Sequence, residues 1–240
     1  MLVFFLLLLS PSLYAREEIK PKIHALIFVP DAKKDSKDAF ILDGNRFSCL
    51  VRQIAKHLDL DCHIRYLSGE SCTLHKIDEW IKDISNTDIS IFYYSSHGFH
   101  EKKDKTIFPT IHDSRKHIMP GSRIARYLHK ARMGLMILDC CNAFPEYRSL
   151  FDINVQLLDK YISKSTAQRL FVDFRGTVLA SACSVREYAY FCKEGSIFSM
   201  NFQVHLSKAG PYDSWYTILR NTKNACMIYH QNPSYLITRK

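Results

Sequence analysis

The chain has 240 residues, of which 47% are hydrophobic and 24% charged, with a formal net charge of +9. This length suits a single α/β domain with a sizeable core, and the composition excludes a disordered chain. The basic residues are spread out rather than gathered in one tract, so the charge reads as a solvated surface. No basic and aromatic signature of nucleic-acid binding and no internal repeat is visible.

The first fifteen residues stand apart. Residues 2–9 form an unbroken apolar run, followed by Ser10, Pro11 and Ser12, with Ala15 before the charged Arg16, Glu17 and Glu18. The run is too short to cross a bilayer, which needs about twenty apolar residues. Residues 1–15 therefore read as a secretory signal peptide and residues 16–240 as the folded domain. The expectation is an exported protein without a stable membrane span; the alternative is a buried N-terminal strand in a cytoplasmic one. The eight cysteines lack both the spacing of a small disulfide scaffold and any C-x-x-C pair, so no metal or other cofactor is expected.

Past the leader, apolar runs alternate with helical periods, which predicts an α/β fold with a mostly parallel sheet between helices. Residues 25–29 form a short apolar run stopped by Pro30, as in a buried strand, and a charged loop follows. Phe47, Leu50, Val51, Ile54 and Leu58 recur at helical spacing. Residues 63–67 are a weaker strand. Thr73 can cap a helix whose apolar stripe is Leu74, Ile77, Trp80, Ile81 and Ile84. Residues 89–94 form the next strand, running into Ser95-Ser96-His97-Gly98.

The polar stretch 99–120 reads as loop. Gly121 and Ser122 open a short helix closed by Gly134, and residues 135–138 are the most apolar strand, running into Asp139-Cys140-Cys141-Asn142. Residues 142–174 read as a long, exposed connection. A strand at 177–182, helices near 196–207 and 214–226, and a strand at 235–238 complete the chain.

Two reactive residues thus stand just past the ends of two apolar strands, His97 and Cys141. Ligands of parallel sheets bind in the crevice outside the carboxyl ends of the strands. If the strands are neighbours, imidazole and thiol share that crevice, and the imidazole can take the proton that keeps the thiol a poor nucleophile. Gly98 lets the backbone come close to a substrate, and the N–H groups of Gly98 and Cys141 are candidate oxyanion donors. Taken singly, a strand-end histidine is usually structural and a cysteine in an apolar run is usually core. The combination on successive apolar strands, 44 residues apart, is much harder to obtain by chance.

Ile91-Phe92-Tyr93-Tyr94-Ser95-Ser96-His97-Gly98 resembles the histidine block of caspases, metacaspases and their bacterial relatives. Leu138-Asp139-Cys140-Cys141-Asn142-Ala143 resembles the cysteine block on the metacaspase side. Residues 175–182, Tyr188-Ala189 and residues 195–199 resemble the segments that follow the nucleophile in bacterial caspase-like domains, and the likeness spans nearly all of residues 22–240. In caspases, too, the histidine lies about 50 residues before the cysteine.

The resemblance implies a three-layer α-β-α sandwich and a cysteine endopeptidase acting on protein or peptide substrates. It assigns the nucleophile to Cys141 rather than Cys140, and implies that Asp139 lines the pocket for the residue before the cleaved bond. A carboxylate there would favour Arg or Lys. The sequence departs from the family in three ways. The caspase Gln-Ala-Cys signature is absent, and Ala143 and Phe144 replace the small residue and glycine that usually trail the metacaspase cysteine. The second pocket acid expected on the first helix is missing, with Cys49-Leu50 in its place. No acidic cluster suits the calcium site of some metacaspases. A catalytically silent caspase-like module that binds partners is the alternative reading, and a peptidase of another family using the same dyad is a third. Arg148, Lys160, Lys164, Arg169 and Arg175 in the long connection are candidate self-cleavage sites. Nothing in the sequence indicates an oligomeric state.

Overall fold

The apolar runs do become strands, and the helical periods lie between them. The computed structural model describes residues 20–31, 37–143 and 162–240. In chain order it runs β1 (Ile23–Val29), α1 (Lys37–Leu58), β2 (Cys62–Ser68), α2 (Leu74–Lys82), β3 (Ile89–Ser95), β4 (Gly98–Phe99), β5 (Thr110–His112), β6 (Ile118–Pro120) and α3 (Gly121–Leu128). The second half comprises β7 (Met133–Asp139), α4 (Lys164–Ala167) with a π-helical turn Gln168–Asp173, β8 (Gly176–Ser181), β9 (Phe191–Cys192), β10 (Gly195–Ser196), α5 (Ile197–Ser207), α6 (Trp215–Met227) and β11 (Ser234–Arg239). The proposed leader lies outside the described residues. Among the described residues, no helix is long and apolar enough to cross a membrane.

Six strands form one sheet in the order β11-β8-β7-β3-β1-β2. All neighbours pair in parallel except β11, which runs antiparallel to β8. This is the expected mostly parallel sheet of an α/β sandwich. Side-chain alternation divides the core in two. Ile27, Ile91, Tyr93, Ile137 and Val178 face the layer of α1, α4, α5 and α6. Phe28, Phe92, Tyr94, Leu138 and Leu179 face α2 and α3. The strands are buried on both faces, which is why they read as continuous apolar runs in the sequence.

Three expectations need correction. The stretch 99–120 is not plain loop: β4, β5 and β6 form a small antiparallel sheet, and Ile111 and Met119 are buried. Strands of two or three residues are too short to display alternation. The connection 142–174 is only partly tested, because residues 144–161 lie outside the described residues. Its last part, however, is packed rather than exposed, with Ile162, Ala167, Leu170 and Phe171 in the core and Trp215 Nε1 donating to Leu170 O at 2.9 Å. Gly134 does not close a helix. It sits inside β7, where a Cβ would lie 2.7 Å from Leu128 O, so only glycine admits the preceding helix this close to the strand.

Candidate functional site

The strand order reverses between β1 and β3. From β1 the chain moves outward to β2, and from β3 it moves the other way to β7 and β8. The crevice at the carboxyl ends around such a reversal is where open α/β sheets bind ligands. Pairing across the three central strands fixes what lies there. Phe28 is in register with Tyr94, and Tyr94 with Leu138. Asp31, His97 and Cys141 each stand three residues beyond these matched positions, so the three residues leave the sheet side by side.

One cavity collects His97, Cys141 and their surroundings. It is lined by His97, Cys141, Asp139 and Ser196, under the apolar cover of Phe40 and Phe191. His97 Nε2 lies 3.1 Å from Asp31 Oδ2, and the edge of the Phe40 ring meets the imidazole with centroids 5.7 Å apart. Tyr94 anchors the turn that carries the histidine, its hydroxyl donating to His97 O at 2.5 Å. The Cys141 thiol donates to Ala189 O at 3.7 Å, and burial pushes it above the ordinary thiol range. It therefore rests as the neutral thiol and needs a base to react.

Cys140 and Cys141, just past the end of β7, part company. Cys140 is buried in the core on the α2–α3 side, and its thiol is held well above the usual range by burial. Cys141 faces the cavity. Gly98 packs directly on this turn: a Cβ there would run into the Cys140 Sγ and come within 2.9 Å of Cys141 O. Asn142 then locks the turn from the far side, being fully buried, with its Oδ1 at 3.0 Å from His100 Nδ1 and its Nδ2 donating to Ile107 O at 2.9 Å.

Asp139 lies beneath the thiol and is fully buried. Its Oδ2 accepts the Ser199 N–H at 3.1 Å and the Ser199 hydroxyl, in the first turn of α5, where a carboxylate is favourable. Burial nevertheless pushes its pKa up to about 6. A second acid adjoins it. Asp43, on α1, is fully buried, accepts the Ser196 N–H at 2.7 Å and lies 3.9 Å from Arg46 Nη1. Burial, reinforced by the charge of Asp139, raises Asp43 well above the carboxylate range.

Asp43 is the residue that sequence reasoning missed. Cys49, placed in its stead, is exposed. The signal was present: Asp43 sits three residues after Phe40 and four before Phe47, on the same apolar stripe of α1. An acid at such a position is costly to bury without a reason. Of the basic residues in the long connection, Arg148 and Lys160 lie outside the described residues. Arg169 is tied down, donating to Gly210 O at 3.1 Å, while Lys164 and Arg175 are exposed.

A sequence model described as a caspase domain matches residues 51–239. No curated protein matches the chain. Among solved structures, that of protein GSU0716 from Geobacter sulfurreducens is similar at TM-score 0.61 and 14% identity, covering 91% of this chain and 94% of that one. At that identity the likeness speaks to the fold alone.

Proposed function

The chain belongs to the caspase domain family of peptidases, and from that premise we propose that it is a cysteine endopeptidase whose catalytic dyad is His97 and Cys141. The observation that carries this reading is that both residues stand at matched positions past adjoining strands and line one cavity. His97 takes the thiol proton as Cys141 Sγ attacks the carbonyl carbon of the scissile peptide. The N–H groups of Gly98 and Cys141 receive the developing oxyanion. His97 then passes the proton to the leaving amine, and water hydrolyses the thioester to return the free thiol.

Asp139, with Asp43 beneath it, forms the floor of the primary specificity pocket in this reading. Two buried acids with raised pKa values prefer a cationic partner, which restores the ionised state that burial disfavours. Cleavage after Arg or Lys follows. The silent-module reading draws on one observation, the raised pKa of the Cys141 thiol, since an unassisted neutral thiol does not react. Labelling with a thiol-reactive peptide ending in Arg, followed by mapping of the modified residue, separates the two. Modification at Cys141 that is lost in His97→Ala supports the peptidase. A protein that resists the probe and cleaves no fluorogenic peptide is the silent module. Export through residues 1–15 is proposed on sequence alone, and a secreted product beginning at Arg16 is its test.

A further inference from the structure

Resting on that peptidase reading, we infer that Asp31 is the positioning residue of the dyad, its carboxylate holding His97 through Nε2 so that Nδ1 addresses the Cys141 thiol.

The chain builds this arrangement locally. Pro30 has no N–H and a fixed φ, so β1 stops at Val29 and the next residues leave the sheet. Asp31 is therefore carried past the strand end at the position matched to His97 by the Phe28–Tyr94 pairing. The carboxylate is buried, with 2% of its side chain exposed, against 42% for His97. A half-exposed imidazole has rotamer and tautomer freedom, and a buried carboxylate at 3.1 Å removes much of both. The contact is an ion-pair approach rather than an aligned hydrogen bond. Phe40 holds the other side of the ring by its edge-on contact.

The chemistry favours a carboxylate at this place. When His97 takes the proton from Cys141 it becomes a cation inside a partly apolar cavity. A neutral acceptor would fix the tautomer but would not offset that charge, whereas Asp31 does both. Among the described residues, the titratable groups around His97 include Asp31 after β1, Asp139 at the end of β7, Cys140 and Cys141 just past it, Tyr190 before β9, and His112 in β5. Asp31 is in direct contact with it through a ring nitrogen.

The test is Asp31→Asn, with Asp31→Ser as a second neutral variant and Asp31→Glu as the charge-keeping one. Thermal melting first establishes that each is folded. With a fluorogenic Arg peptide, Asp31→Asn should lower kcat by about 10- to 1000-fold with KM within about twofold, and Asp31→Glu should recover part of the loss. On a His97→Ala background the same change should cost nothing further, because Asp31 acts through the imidazole. Independently of any substrate, the rate at which iodoacetamide modifies Cys141 should fall in Asp31→Asn, most strongly at the acid end of its pH profile. A folded neutral variant with wild-type kcat and an unchanged alkylation profile would overturn the inference, as would an equal loss on the His97→Ala background. If the wild type cleaves no peptide yet its Cys141 alkylation depends on Asp31, the peptidase reading fails and the positioning role stands.

Discussion

Two histidine–carboxylate pairs sit at opposite ends of this sheet. At the amino end, His24 Nε2 lies 3.5 Å from Asp88 Oδ2 and its ring stacks on His63, with centroids 5.4 Å apart. At the carboxyl end, His97 meets Asp31 at 3.1 Å. The residue types and the spacing are nearly the same, but the surroundings are not. The first pair borders an open hollow lined by Cys62, Arg65, Trp80 and Asp83, on the far side of the sheet from the strand-end crevice. The second faces Cys141 under aromatic cover, beside the reversal of strand order. A histidine beside an acid is thus an ordinary feature of a sheet end; what sets the second pair apart is its place at the carboxyl ends, facing a thiol.

The largest expected effect tests that contrast directly. His97→Ala and Cys141→Ala should each lower kcat/KM for an Arg peptide by at least about a thousandfold, roughly 4 kcal/mol of barrier. His24→Ala and Asp88→Asn should leave it within about twofold. Equal losses at both ends would dissolve the distinction, and so would an inactive Cys140→Ala beside a normal Cys141→Ala.

Next comes the pocket floor. Asp139→Asn keeps an acceptor for Ser199 and removes the charge, and should lower kcat/KM for Arg and Lys peptides by about 100-fold relative to Asp peptides. Indifference to the change, or faster cleavage after Asp, would sink the basic preference.

Close packing at the carboxyl end supplies a third effect. Gly98→Ala pushes a methyl group against the Cys140–Cys141 turn and should cost about 2 kcal/mol in denaturant unfolding, part of it recovered when Cys140→Ala is added. No recovery would mean that the strain is carried elsewhere.

The buried acids set the pH behaviour. With Asp139 raised to about 6 and Asp43 also raised by burial, the folded protein keeps protons that the unfolded chain has already released. Their contribution to stability is therefore largest in acid and falls as pH climbs from about 4 through about 6. Asp43→Asn should make that fall shallower and raise the melting temperature near neutral pH by a few degrees, about 1 kcal/mol. A steeper fall would contradict the burial argument. The smallest effect belongs to the open end, where His24→Gln should shift stability by less than about 0.5 kcal/mol. A larger change would mean that this pair is held as firmly as its counterpart.

The strands, and the placing of His97 and Cys141 just past the ends of two of them, were legible in the sequence, because apolar runs such as residues 89–94 and 135–138 need no partner to be recognised. The sequence also separated Cys140 from Cys141, since consecutive side chains leaving an extended strand end point to opposite sides. The small sheet in 99–120 was not legible, because its strands are too short to have a period. Asp43 showed in the sequence only as an acid on an apolar helical stripe, and Asp31 not at all. Each is far from the dyad along the chain, one on a helix and one after a different strand, and only the packing of α1 on the sheet and the register of β1 with β3 bring them in. A sequence displays which residues can react, whereas the environment that tunes them is assembled by contacts between distant segments.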